Sequence, residues 1–308
     1  MSLFALVPIV LPVFGLIGIG FVARLTKLVG DRTGDGLSDF VFSIAIPCLI
    51  FKTLNASGLP SDQPWGYWLS YFAGVAIVWT LGMTLGRHVF GLKPAENVVA
   101  GFTAAQSNTV LVGVPLILQA YGQEGAVPLF LLVAIHLPVT FTVATLLMEG
   151  RAAHWPTVIR QLMTHPILLS ILVSAAFHLS GWPVPWLVTT LVDSIAASAL
   201  PCALFSMGIA LWRYGVRGGV SLATSLTAIK LLLHPALVYV FAFYIFPVPP
   251  VWAGVAVLFA AAPSGINAYL FAERYKSGVQ ISSNGIALST ALSVFSILIW
   301  LMVLGVKP

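Results

Sequence analysis

The sequence predicts an all-α polytopic membrane protein in which ten transmembrane helices form two inverted five-helix repeats, with the fourth and ninth helices broken and crossing. Three observations predict it. Of 308 residues, 59% are hydrophobic and only 7% charged, against about 25% charged in ordinary soluble domains. Charge-free runs such as 63–86, 97–123 and 277–306 are long enough to cross roughly 30 Å of hydrocarbon. A motif of the second span also returns 154 residues later, in the seventh. The mean hydropathy of +1.01 agrees, and no stretch is left over for a soluble domain.

The first span, 3–23, opens without a basic n-region or a small-residue cleavage site, so it reads as a retained helix and not as a signal peptide. The second, 36–55, reads LSDFVFSIAIPCLIF from Leu37. The third, 65–87, carries no charge before Arg87, and the fourth and fifth follow at 95–121 and 125–149. Residues 150–163 contain Arg151, Trp155, Pro156 and Arg160 and read as a linker along the cytoplasmic interface, between a first repeat at 1–149 and a second at 164–308. The sixth span, 164–180, places Pro166 at the repeat position of Pro12. The seventh, 185–212, reads LVDSIAASALPCALF from Leu191, so Leu37, Asp39, Ala45, Pro47, Cys48 and Phe51 match Leu191, Asp193, Ala199, Pro201, Cys202 and Phe205. The charge-free run from Leu231 to Ala272 is too long for one helix. Pro247, Pro249 and Pro250 divide it into an eighth span at 219–246 and a ninth at 251–273, and the tenth covers 279–305. With five spans per half, the second copy enters from the opposite side, which makes the repeat an inverted one.

Charge tests this map. Loops after odd-numbered spans hold Arg24, Lys27, Arg32, Arg87, Lys93, Arg151, Arg160, Arg213, Arg217, Arg274 and Lys276, while the other side holds Lys52 and Lys307. Eleven against two is a positive-inside bias that places both termini outside the cytoplasm. The pI near 9.4 is therefore an orientation signal, and no nucleic-acid partner is expected. Cys48 and Cys202 each follow a proline in an apolar run and read as small packing residues ahead of a disulfide.

The chain is organised around the two spans that break. AQSNTVLVGVPLILQAY from Ala105 and AAAPSGINAYLFAERY from Ala260 each bury a proline, a glycine and several amide or hydroxyl groups in apolar sequence. Proline lacks a backbone donor and clashes with the preceding turn, so Pro115 and Pro263 predict breaks just upstream, with a new helix starting at each proline. Interrupted spans at matching places in two halves are the sequence sign of a transporter's binding site, since irregular backbone at membrane depth must be buried in protein or line a wet cavity. The candidate substrate-binding set is Gln106, Ser107, Asn108, Thr109, Gly113, Pro115, Pro263, Ser264 and Asn267. The other reading of these polar groups is that they only satisfy the broken backbone.

These residues resemble the auxin efflux carrier family. NTVLVGVPL from Asn108 is similar to the Asn, Gly and Pro-Leu pattern of that family's first crossover helix, and PSGINAYLFAERY from Pro263 to its second. The long cytoplasmic loop of the plant exporters is missing, and the lean loops look bacterial, which implies an inner-membrane protein. The resemblance further implies a fold akin to bile-acid and sodium-proton transporters, with spans 1, 2, 6 and 7 as scaffold and spans 3–5 and 8–10 as a mobile domain. It also implies an elevator mechanism, a homodimer, and malonate-like organic acids as substrates.

At a crossing, two helix N-termini, each equivalent to roughly +0.5 charge, favour an anion. Neither crossover core carries a carboxylate: Glu96, Glu124 and Glu273 lie at span ends. A small carboxylate would meet NH donors, amides and hydroxyls without a repelling charge. Lys230 is a basic residue about ten positions into the eighth span, roughly 15 Å deep. Its first reading is support for the crossing, by capping carbonyls where a related carrier holds Na+; its second is proton coupling. His136, two residues before Pro138, reads as packing or as a titratable group, and His234 has a weaker case. Asp39 and Asp193 read as caps or scaffold polar groups near span ends. No cofactor or metal is expected. An intramembrane enzyme would need a nucleophile with a base or clustered metal ligands, and the sequence presents neither. The remaining alternative is a ligand sensor built on the transporter fold.

Overall fold

The computed structural model describes residues 6–57, 64–150, 164–215 and 218–306, with 156 and 160 besides. These residues form helices and no strand: α1 (Val7–Leu25), α2 (Asp31–Ala56), α3 (Trp65–His88), α4 (Pro94–Ala105), α5 (Thr109–Tyr121), α6 (Ala126–Glu149), α7 (Pro166–Ser180), α8 (Trp186–Tyr214), α9 (Val220–Ile245), α10 (Pro250–Ala261), α11 (Ile266–Arg274) and α12 (Val279–Leu304). Among the described residues, α1, α2, α3, α6, α8, α9 and α12 are long and apolar enough to cross a membrane, while α5, α7 and α10 are shorter apolar helices. The two halves run through helices of similar length in the same order, from α1 to α6 and again from α7 to α12. Most of the expected linker at 150–163, the terminal residues and Arg217 lie outside the described residues.

Among the described residues, four wide π turns shape α2, α5 and α9, at Val41–Ala45, Thr109–Gly113, Ile229–Leu233 and Phe241–Ile245. Each ends two residues before a proline, namely Pro47, Pro115, Pro235 and Pro247. A proline ring clashes with the carbonyl four residues back and offers no NH to it; a turn widened by one residue moves that carbonyl aside. This corrects the expected break at Pro115. The helix runs through that proline, and the chain leaves helical geometry earlier, at Gln106–Asn108. In the second case Pro263 lies inside the break and the new helix starts later, at Ile266.

Helix α2 also begins at Asp31, five residues before the expected start, and α8 begins at Trp186. Asp39 and Asp193 are therefore about two turns inside their helices, where a side chain has no free terminal NH to cap. Asp193 instead pairs with Lys52 of α2 at 2.8 Å. Cys48 and Cys202 are free thiols, half-buried.

Packing is densest within two groups. Helix α8 lies along α1 and α2, and α2 lies against α7; separately, α3 packs on α4 and α9, while α9 packs on α10 and α12. At the α1–α8 contact Gly20 sits on the carbonyl of Phe205, and Gly208 on the backbone of Ile17 and Phe21, so closely that neither site has room for a Cβ. Such small-residue contacts bring helix backbones together in membranes, where lipid is as apolar as the helix faces themselves. Helix α5 reaches from the second group to α1 and α8.

Candidate functional site

The two breaks meet. Ala105 ends α4 and Ala261 ends α10, and each chain then continues in extended backbone, with ψ of 116° at Gln106 and 145° at Ala262 and Gly265. The extended pieces run antiparallel and make a single bridge, Ser107 to Ser264. The Asn108 NH donates to the Pro263 carbonyl at 2.7 Å, and the Gly265 NH to the Gln106 carbonyl at 2.9 Å. Backbone released by one broken helix thus finds its partners in the other, as it must where water is absent. Gly265 is required by this approach, because a Cβ there would lie 2.8 Å from the Ser107 carbonyl oxygen.

Side chains complete the crossing. Ser264 Oγ donates to the Thr103 carbonyl of α4 at 2.9 Å, and the Ser264 NH donates to Ser289 Oγ of α12 at 3.0 Å. Asn108 Oδ1 accepts from the Leu111 NH at 3.3 Å, capping α5, while its Nδ2 donates to Met207 Sδ of α8 at 3.1 Å. Thr140 Oγ1 of α6 donates to Gln106 Oε1 at 2.8 Å, but Gln106 Nε2 is buried without a partner among the described residues. The Thr109 NH turns back to the Ser107 carbonyl, and the Gly113 NH to the Asn108 carbonyl, both at 2.9 Å. Pro115 is buried one turn further on.

Lys230 is fully buried beneath this bridge. Its Nζ donates to Ser107 Oγ at 2.7 Å and to the Ala260 carbonyl at 2.7 Å, and lies 3.0 Å from His234 Nδ1. An ammonium has three hydrogens, and these three neighbours match them in number. Ala260 is in the last turn of α10, where the helix dipole is negative and favours a cation. Beside it, Tyr71 OH of α3 lies 3.0 Å from His136 Nδ1, and the Tyr71 ring packs on both imidazoles with centroids 5.6 and 5.7 Å apart. The Nε2 atoms of His136 and His234 are buried without partners among the described residues. Tyr71 was invisible to sequence reasoning, since a tyrosine in a span is common. His234 had a usable signal: it is four residues after Lys230, on the same helix face.

A cavity of about 590 Å³ opens between α2, α7 and α8 on one side and α6 and α11 on the other. Asp35, Asp39, His165, Asn267, Arg213 and Arg274 face it, with Thr142 and Thr145. Arg213 grips both oxygens of Asp35, at 2.9 and 3.0 Å. Asn267 belongs to this lining, whereas Gln106, Ser107, Asn108 and Ser264 do not. The sequence-derived set is therefore split: one part forms the buried crossing, and Asn267, the second residue of α11, looks into the cavity. The cavity positions of Arg213 and Arg274 were hidden in the sequence by their place at helix ends, where a basic residue ordinarily sets orientation. Among the described residues, no three His, Cys, Asp or Glu side chains are grouped to hold a metal.

Against known proteins, the family described as "Membrane transport protein" matches residues 5–156 and 154–301. A Rhizobium meliloti (strain 1021) protein named "Putative malonate transporter" is 30% identical, the match covering 97% of this chain and 97% of that one. "Auxin efflux carrier component 8" of Arabidopsis thaliana is 22% identical over 97% of this chain and 98% of its own length. The mouse "Lysosomal cholesterol signaling protein" is 23% identical over 98% of this chain, which corresponds to 38% of that protein.

Proposed function

Because the chain belongs to the membrane transport protein family, as a multi-pass membrane protein with auxin efflux carriers among its relatives, we propose that it carries small organic anions, carboxylates such as malonate or auxin-like acids, by an elevator-type movement. The observation that carries this reading is the crossing itself. Two broken helices meet at a buried point where the added charge is the cation Lys230, the starts of α5 and α11 lie nearby, and the Gln106 amide has an unused donor. Such a place attracts a carboxylate and holds none of its own among the described residues. The relative whose printed name gives malonate, and those whose names give auxin, point to the same substrate chemistry.

In this reading α1, α2, α7 and α8 form the scaffold, and α3–α6 with α9–α12 the mobile domain. The packing within the two groups supports the division, and the parallel order of helix lengths supports an inverted ten-span repeat with halves at 1–149 and 164–308. Asn108, Thr109, Gly113 and Pro115 then shape one wall of the substrate site, Pro263, Ser264 and Asn267 the other. Lys230 supplies fixed positive charge where other carriers use Na+, with His136 beside it. The charge bias supports a cavity, with Arg213 and Arg274, facing the cytoplasmic side of a bacterial inner membrane, with both termini outside. A stationary scaffold calls for an anchor, which a homodimer through exposed apolar faces of that group supplies. The mouse relative favours a second reading, a sensor, since its name is that of a signalling protein.

A thermal-shift screen with malonate, longer dicarboxylates, indole-3-acetate and neutral analogues tests the ligand class. The acids are expected to raise the melting temperature and the neutral analogues to leave it unchanged. The opposite order contradicts an anion site.

A further inference from the structure

Resting on the anion-carrier reading, we propose that Arg274 binds a second negative charge on the substrate, so that the site selects dicarboxylates over monocarboxylates. Helix α11 leads directly from the crossing to this residue. Ile266, Asn267, Leu270 and Arg274 all line the cavity, a spacing that places them on one helix face. From Asn267 to Arg274 the helix rises about 10 Å. Long helical side chains can lean toward the N-terminus, so an Arg274 side chain turned that way reaches back toward Asn267 and shortens that gap. One carboxylate at the crossing end and another at Arg274 therefore fit along a single wall. The planar fork of arginine takes a carboxylate through two hydrogen bonds.

The other charges in the cavity sharpen the argument. Arg213 is committed to Asp35 and lies 3.9 Å from Asp31, so its charge is already matched. Arg274 has no carboxylate within ion-pair distance among the described residues, and its guanidinium sits 5.6 Å from the centre of the Tyr275 ring. Asp35 and Asp39 both belong to α2, on a different wall. The cavity is thus polarised, with the unmatched cation on α11 and the unmatched carboxylate, Asp39, on α2. An anion is drawn to the α11 wall. Arg274 also shares its helix with the crossing and moves with it, which a residue serving only the mouth of the cavity does not require. A basic residue that only sets orientation would be indifferent to how many carboxylates the substrate carries.

Affinities of the purified full chain for malonate, succinate and propionate, measured by calorimetry in wild type, Arg274→Gln and Arg274→Lys, test this. The expected result is a loss of about tenfold or more in malonate and succinate affinity in Arg274→Gln, a change under about twofold for propionate, and partial recovery in Arg274→Lys. Arg274 is exposed, so unliganded melting temperatures should agree among the three proteins. An unchanged ratio of malonate to propionate affinity overturns the proposal while leaving the anion site standing. Failure of the wild type to bind any of the three acids overturns the anion site and the proposal together.

Discussion

Lys230 of α9 donates a 2.7 Å hydrogen bond to the hydroxyl of Ser107, which sits in the break between α4 and α5. The same ammonium donates to the Ala260 carbonyl at the end of α10. One side chain thereby ties together both broken helices, and a basic group is buried at the point proposed to meet an anion.

Replacing this group should be costly. In Lys230→Met the Ser107 hydroxyl and the Ala260 carbonyl lose a buried partner, each worth roughly 1–3 kcal/mol. A clear fall in melting temperature is expected, together with loss of malonate binding. A variant that melts like the wild type and still binds malonate removes Lys230 from the site.

Gly265→Ala separates crossing geometry from charge. The added methyl lies 2.8 Å from the Ser107 carbonyl oxygen, and strain of this kind costs about 1–3 kcal/mol. Denaturant midpoints should fall, while Gly15→Ala, where nothing lies within 4 Å, should change little. Equal midpoints for the two variants would show that the breaks do not approach this closely.

The two asparagines should behave differently. Asn108 caps α5 and is 3% exposed, so Asn108→Ala is expected to lose about 1 kcal/mol of stability through the cap as well as affinity. Asn267 opens onto the cavity, so Asn267→Ala should weaken malonate binding with the melting temperature unchanged. Binding isotherms and melting curves on both variants check this, and wild-type affinity in Asn267→Ala contradicts it.

Gly208→Ala probes the contact between α1 and α8. Its Cβ would enter the backbone of Ile17 and Phe21, which in a closely packed helix pair costs about 1–3 kcal/mol. Stability should drop while the affinity of the folded fraction for malonate stays at the wild-type value. A drop in that affinity instead would mean that this contact shapes the site.

The long apolar helices were legible because hydrophobic length alone defines them, and Lys230 because a lone basic residue in an apolar run stands out. The breaks were harder to place. A proline rule put one at Pro115, but the π turn at Thr109–Gly113 absorbs that ring. The helix start is fixed instead by the Asn108 side chain on the Leu111 NH, a contact that depends on where the chain has turned. The start of α2 was misplaced for a related reason, which left Asp39 no terminal NH to cap: the helix begins at Asp31, where Arg24 holds the aspartate through two hydrogen bonds at 2.8 and 2.9 Å. Tyr71, Thr140 and Ser289 reach the crossing from three other helices, and no local pattern announces such long-range partners.

The most direct test of the carrier reading is uptake of labelled malonate by proteoliposomes containing the full chain, with Na+ outside or with choline in its place. No carboxylate lies at the crossing among the described residues, and on the proposed reading Lys230 supplies the positive charge there, so uptake above that of empty liposomes should be equal in the two media. Uptake that requires Na+ contradicts the role given to Lys230, and malonate binding without any uptake contradicts the carrier and leaves the sensor.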